Sequence, residues 1–341
     1  MTPTDPPGLD LGRLRAYLDE QRPGLVTGEL SAEVVPGGRS NLTYLVGDGS
    51  GRWVVRRPPL GHVLPTAHDM AREFRVISGL HDTAVPVPDT VLLCQDAGVL
   101  GAQFYVMEFV PGTPYRSDKE LAALGPVRTR AIADALVDTL VDLHAVDPAA
   151  AGLGDFGRPE GFLERQLRRW KKQLDGSRSR DLPGVDTLHD RLAAKLPVSG
   201  PPSIVHGDYR LDNVLVDGGD RITAVLDWEM STLGDPLTDL ALLVAYAERD
   251  KVSLQMVSNA SSAPGYPSAD EVVARYAERS GRDVSALNWY VSFAFFKLAV
   301  ILEGIYFRYS QGQTVGAGFE NVGSGVVPLI AHGNESLKEE K

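Results

Sequence analysis

Two hydrophobic rhythms divide the chain. Leu11, Leu14 and Leu18 recur at helical spacing and predict a short amphipathic helix over Leu9–Leu18. From Ser31 the rhythm shortens. Ala32–Val35, Leu42–Val46 and Trp53–Val55 are brief apolar runs parted by Gly-rich turns at Gly37-Gly38 and Gly47–Gly51, the pattern of strands in a small sheet. A helix is predicted over His68–Leu80, where Met70, Phe74 and Ile77 share a face. Val91–Leu93 and Phe104–Val110 bring the sheet to about five antiparallel strands with one helix. After Gly112 and Pro114 the helical period takes over. Pro126–Val146 carries Ile132, Leu136, Leu140 and Leu143 in register, and Pro126 suits its first turn. Phe162–Leu174, Val185–Leu196, Leu237–Ala247 and Ala269–Arg279 follow, the last behind a capping box, Ser268-Ala-Asp-Glu271. Asn288–Tyr309 is apolar all round and reads as a buried central helix. Residues 1–8 are Pro-rich and expected to be disordered, and those after His332 read as a polar tail. The pattern is an α+β chain: a strand-rich lobe over residues 1–110, then a mostly helical lobe over 111–341.

One stretch inside the helical part breaks its rhythm: Ser203–Asp239, SIVHGDYRLDNVLVDGGDRITAVLDWEMSTLGDPLTD. Val214–Val216 and Ile222–Leu226 read as strands, with Asp217-Gly218-Gly219-Asp220 as the hairpin turn between them. The hairpin brings Asn213 and Asp227 to one end of a ribbon, with Asp208 in the loop before it. Turn propensity accounts for Asp217 and Asp220. It accounts poorly for Asp208, Asn213 and Asp227, which flank apolar strands. Hard oxygen ligands of this kind suit Mg²⁺, which is held by one or two carboxylates plus substrate phosphates. The spacing H-x-D-x-x-x-x-N followed by a further Asp is that of a kinase catalytic loop, in which Asp208 takes the acceptor proton while Asn213 and Asp227 hold the metal. His206 reads as an orienting residue. Asp235 and Asp239, at a helix start, read as support for the loop.

HGDYRLDNVL and LDWEMSTLGDPLTDLA resemble the aminoglycoside phosphotransferase and choline kinase group of small-molecule kinases. More narrowly, they resemble the kinase-like domain at the front of some acyl-CoA dehydrogenases. The resemblance runs from about Pro36 to Gly312 and implies a bilobal protein-kinase-like fold with ATP, or alternatively GTP, as phosphoryl donor and Mg²⁺ as metal. The loop Gly37–Thr43, with Gly38, Ser40, Asn41 and Thr43, reads either as a phosphate-binding nest or as a plain hairpin turn. Arg56 stands in Val54-Val55-Arg56 where kinases place lysine, and Glu73 is its helix partner. The pair either grips phosphate or is an exposed ion pair of little weight. By the resemblance, Glu108 and Val110 offer backbone contacts to adenine. Asp227-Trp228-Glu229 replaces D-F-G and no A-P-E follows, so a phosphorylation-controlled loop is not expected.

Composition narrows the partners. A net charge of −11 argues against non-specific nucleic-acid binding. The single cysteine, Cys94, excludes an internal disulfide framework and reads as a buried, inert thiol. The opening MTPTDPPGLDL shows no signal-peptide pattern, and the apolar run Phe293–Leu302 is broken by Lys297 and too short for a bilayer, so the expectation is a cytoplasmic protein without a membrane partner. Residues 151–200 hold ten Lys or Arg against seven Asp or Glu, densest at Arg168, Arg169, Lys171 and Lys172. That run is either a solvated helical face or an attractor for an anionic acceptor such as a hydroxyacyl group on coenzyme A. The expected function is phosphorylation of a hydroxyl on a small molecule. The alternatives are an antibiotic phosphotransferase and a nucleotide-binding pseudokinase.

Overall fold

The computed structural model describes residues 5–36, 41–60, 69–248, 259–313, 319 and 321–337. Helix α1 (Leu11–Gln21) starts where Asp10 accepts the Arg13 N–H at 2.9 Å. Strands β1 (Ser31–Val34), β2 (Leu42–Gly47) and β3 (Arg52–Arg57) form an antiparallel meander. Helix α2 (Met70–Leu80) is capped by Asp69, which trims the expected start at His68. After α2 come β4 (Thr90–Cys94), the single turn α3 (Ala97–Leu100) and β5 (Phe104–Glu108). The strand order is β1-β2-β3-β5-β4, all antiparallel. Alternation assigns the two faces. Tyr44, Val46, Trp53, Val55, Phe104 and Val106 pack with Leu11, Leu14 and Leu18 of α1, and the lone Cys94 is buried among them. Tyr105 and Met107 face the other way, into the core that holds Met70 and Ile77 of α2. Arg56 shares that second face, paired across the sheet with Tyr105.

The helical part opens with α4 (Asp118–Ala122), whose Ser117/Glu120 capping box went unread in the sequence. Helix α5 (Pro126–Ala145), α6 (Phe162–Ser177) and α7 (Val185–Ala194) precede β6 (Ser203–Val205). The ribbon β7 (Val214–Val216) and β8 (Ile222–Val225) forms as expected, with Asp220 at φ 64° in its turn. Strand β9 (Thr232–Gly234) pairs with β6, a contact too short to leave a periodic signature. Helices α8 (Leu237–Ala247), α9 (Ala269–Ser280) and α10 (Leu287–Ser310) follow. By length and composition α10 could cross a membrane, yet 72% of its most apolar window is buried in this fold, the place of a core helix. The expected polar tail after His332 is a correction: α11 (Val326–Ser336) runs through it. Val326, Leu329, Ile330 and Gly333 form a buried stripe, and Ser292 of α10 donates to the Gly333 carbonyl at 2.7 Å.

The crossing between sheet and helices is pinned to the ribbon. Thr113 and Val216 exchange backbone hydrogen bonds at 2.9 and 3.1 Å. A Cβ on Gly112 would lie 2.8 Å from the Leu215 Cβ, so glycine permits this approach.

Candidate active site

The loop after β6 is built around Asp239 of α8. Its buried carboxylate accepts the N–H groups of His206 (2.7 Å) and Gly207 (2.8 Å), and His144 lies 3.4 Å away. Gly207 sits at φ +85°, and a Cβ there would meet the Met230 carbonyl oxygen at 2.8 Å, which explains the glycine between His206 and Asp208. His206 is fully buried, and both ring nitrogens are engaged. Nε2 donates to the Leu226 carbonyl at 2.9 Å and Nδ1 accepts the Asp208 N–H at 3.2 Å. That histidine orients the loop and has no free nitrogen for acid–base work. The N-cap position of α8, expected at Asp235, is Pro236; one residue earlier, Asp235 accepts the Leu237 N–H at 3.1 Å and the Tyr290 hydroxyl at 2.7 Å and ties the start of α8 to α10.

Asp208 is half-buried and held on several sides. Asn213 donates its amide to the Asp208 carbonyl at 2.8 Å and to the carboxylate at 3.1 Å. The Tyr246 hydroxyl donates to the other carboxylate oxygen at 3.1 Å. Burial, and then the Asp208 charge itself, push the Tyr246 phenol well above its ordinary pKa, so it remains a donor. Arg210 lies 3.4 Å from Asp208 and 3.1 Å from Asp212.

Asp227 follows β8 in the left-handed region, at φ 65°. A non-glycine residue there is sterically disfavoured and such residues cluster at functional sites. Arg56 reaches it from the sheet and pairs with it directly. The same guanidinium lies 2.9 Å from Glu73, whose side chain is 1% exposed, although Nε is not aimed to make a hydrogen bond along that line. The pair is therefore buried, which removes the exposed-pair reading. Tyr105 donates to Glu73 at 3.0 Å, and Asn41 donates to Glu73 at 3.0 Å and Glu229 at 3.2 Å. Burial raises the Glu73 carboxyl to about 7 against the pull of Arg56, with Asp227 adding to the rise. For Arg56 burial works toward a lower pKa, but Tyr105, Glu73 and Asp227 reverse this and raise it. Glu73 and Asp227 thus flank Arg56, and Glu229, joined to Glu73 through Asn41, adds a further negative charge nearby, an excess that a cation would balance. Among the described residues no three or more His, Cys, Asp or Glu side chains form a metal cage. Asp227 and Asn213 offer hard oxygens that fit Mg²⁺ if phosphate oxygens complete its shell.

Of the other anticipated contacts, Gly38 and Ser40 lie outside the described residues. Asn41 is buried with its Oδ1 unpartnered, and Thr43 sits opposite Arg56 in the sheet. The Glu108 N–H is donated to the Asp89 carbonyl at 2.8 Å, so that residue has only its carbonyl to offer a ligand. Val110 is half-buried at the crossing. The cationic run on α6 is split. Arg168 pairs with Glu164 at 3.3 Å and Lys171 with Asp175 at 2.5 Å, while Lys172 is exposed. Arg169 alone of the four lines a cavity of about 370 Å³ below the His206–Asp208 loop, with Trp170, Gly207, Phe293 and Lys297. Sequence reasoning missed Tyr246, Arg210 and Lys297. Arg210 lay inside the motif and Tyr246 sits in a helical apolar run without a mark; Lys297 shows as the charge that breaks the apolar run Phe293–Leu302, a signal read only against a membrane span.

Comparison with known proteins gives one family. The model described as the phosphotransferase enzyme family matches residues 31–272. Acyl-CoA dehydrogenase family member 11 of Rattus norvegicus is 37% identical over 313 residues, which is 89% of this chain but only 40% of that protein. The chain thus spans well under half the length of that relative. A crystal structure from Ralstonia eutropha, provisionally described as an aminoglycoside phosphotransferase, superposes with a TM-score of 0.83 at 34% identity, covering 96% of this chain and 98% of the other. The streptomycin–ATP ternary complex of APH(2″)-IIa shares the fold at TM-score 0.56 and 16% identity, over 89% of this chain and 90% of the other.

Proposed function

The chain belongs to the phosphotransferase enzyme family, and from that premise we propose that it moves the terminal phosphoryl group of ATP to a hydroxyl of a small molecule, with Mg²⁺. The observation that carries the reading is the convergence of Asp208 with Asn213 (3.1 Å) and the direct pairing of Asp227 with Arg56, which itself lies 2.9 Å from the buried Glu73. Phosphoryl transfer asks little covalent chemistry of the protein; it asks for in-line positioning and charge neutralisation. Asp208 accepts the proton of the acceptor hydroxyl as its oxygen bonds to the γ-phosphorus and the bond to the ADP oxygen breaks. Tyr246 and Asn213 hold that carboxylate in place. Asn213 and Asp227 would hold Mg²⁺, which when bound neutralises phosphate charge. Arg56, kept charged and anchored by Glu73, turns part of its fork from Asp227 to phosphate. Asn41 and Thr43 would face the phosphates, and the Glu108 carbonyl and Val110 N–H would meet the adenine edge; Gly38 and Ser40, expected to join them, lie outside the described residues.

The acceptor reading we favour is a hydroxyacyl group carried on coenzyme A. It is supported by the 37% identity to an acyl-CoA dehydrogenase family member and by Arg169 and Lys297 in the cavity beside Asp208. The antibiotic reading draws on the Ralstonia eutropha relative; a polycationic acceptor would meet Arg169 and Lys297 there, while Asp69, Asp239 and Glu229 of the same cavity already hold other donors. The test is a screen of hydroxyl compounds, hydroxyacyl-CoA thioesters and kanamycin included, for acceptor-dependent ADP release with Mg²⁺. Phosphorylated thioester is the expected product. Tight nucleotide binding with no acceptor-dependent ADP release from any compound would sink the transferase reading and favour a pseudokinase.

A further inference from the structure

The cavity below the catalytic loop is lined by three carboxylates, Asp69, Glu229 and Asp239, and three cations, Arg72, Arg169 and Lys297. Its carboxylates are committed elsewhere. Asp69 caps α2 at 3.0 Å, Asp239 accepts His206 and Gly207, and Glu229 accepts from Asn41 at 3.2 Å. Of its cations, Arg72 is spent on the carbonyls of Phe156 (2.6 Å) and Ser231 (3.0 Å). Arg169 and Lys297 differ. Among the described residues neither forms an ion pair; Lys297 donates to the Gly207 carbonyl at 2.7 Å and lies 5.6 Å from the Trp170 ring, over which Arg169 also sits at 5.9 Å. An ammonium has three N–H donors, and one carbonyl satisfies only one of them. Lys297 is set deep in α10 and partly exposed where the cavity meets it. Burial lowers its pKa; the charges of Asp208 and Asp239 work the other way, and Arg169 lowers it again, so an anion seated between Lys297 and Arg169 would offset their burial and mutual repulsion.

We propose that Lys297 and Arg169 form a subsite for an anionic oxygen group of the acceptor, a carboxylate or a phosphate, and that this subsite sets acceptor specificity. The inference rests on the phosphotransferase reading for its activity arm only. Lys297 is bonded to the residue next to Asp208, so an acceptor anchored there by its anion has its hydroxyl within short reach of the base. Trp170 and Phe293 supply apolar walls for the carbon chain between the two groups.

The test compares short-chain hydroxy carboxylates, their coenzyme A thioesters, the isosteric neutral diols and kanamycin, as acceptors and by calorimetric binding without ATP. Wild type should favour the anionic compounds. Preference for the free acid identifies a carboxylate as the bound group, and preference for the thioester identifies a carrier phosphate. Lys297→Met should raise KM for the anionic acceptor about tenfold to hundredfold relative to its effect on the diol, the weight of a lost charge-assisted hydrogen bond, and leave KM for ATP unchanged. Arg169→Gln, on an exposed position that does not threaten folding, should act in the same direction by about threefold to tenfold. If both variants leave the acid-to-diol ratio at its wild-type value, or if kanamycin is the best acceptor, the subsite is wrong while the transferase reading stands. Lys297-dependent binding of the acids without turnover of any acceptor would leave the subsite and overturn the transferase reading.

Discussion

Replacing Arg56 with methionine leaves two carboxylates without their counter-charge. Glu73 is 1% exposed and sits 2.9 Å from the guanidinium, while Asp227 is 31% exposed and can recover part of its solvation. Breaking a buried ion pair by removing one partner costs about 3–5 kcal/mol. Glu73 has an escape, because its pKa already stands at about 7, and in the variant it rises further and takes a proton. Near neutral pH the loss should therefore lie at the low end, about 3 kcal/mol. With roughly 0.7 kcal/mol/K of unfolding entropy for 341 residues, the thermal midpoint should drop by about 4 °C. The loss should grow as pH rises, by at most about 1.4 kcal/mol per unit, because keeping the proton on Glu73 becomes harder. Urea unfolding of wild type, Arg56→Met, Glu73→Gln and the double variant measures this at about pH 6.5 and about pH 8.5. The double variant should recover about 1–3 kcal/mol relative to the sum of the singles. An Arg56→Met protein within about 0.5 kcal/mol of wild type at both pH values, or a loss that shrinks with pH, refutes the buried-pair argument.

Other consequences follow from the same geometry. Asp227→Ala should weaken nucleotide binding with Mg²⁺ about tenfold to hundredfold and leave metal-free binding nearly unchanged, which calorimetry with and without chelator reads directly. Tyr246→Phe removes a donor 3.1 Å from the Asp208 carboxylate and should lower kcat about tenfold without changing KM for ATP. In wild type the folded Glu73 pKa is raised from 4.5 to about 7, so the native state binds the extra proton. Its stabilising share is complete below about pH 4.5 and is lost as pH rises through about 7; Glu73→Gln should flatten that part of a stability-versus-pH curve.

The hairpin and its polar flanks were legible in the sequence because strand periodicity and turn chemistry pointed the same way. Asp217 and Asp220 mark the turn, and that alone fixes which end Asn213 and Asp227 share. The antiparallel sheet was legible from brief apolar runs parted by Gly-rich turns, and the buried helix α10 from a long run apolar all round. The pairing of β6 with β9 was hidden because three residues carry no period. Helix α11 was hidden because His332, Asn334 and Glu335 mask a stripe that only docking on α10 makes meaningful. The α6 cations read as one cluster in the sequence, yet helical geometry turns Arg168, Lys171 and Lys172 away from the cavity that Arg169 lines. Lys297 sits in an apolar run and is chemically distinctive only once the fold sets it against Gly207 and Trp170.

The most direct measurement is single-turnover phosphoryl transfer by Asp208→Asn beside wild type, with nucleotide affinity determined on the same samples. The substitution keeps the shape of the side chain and its acceptance from Tyr246, but removes the carboxylate proposed to take the acceptor proton. General-base catalysis contributes about a hundredfold to ten-thousandfold, so the transfer rate should fall by that factor while the ATP dissociation constant stays within about twofold. A variant that transfers phosphate at the wild-type rate would contradict the assignment of Asp208 as the base and, with it, the account of this site.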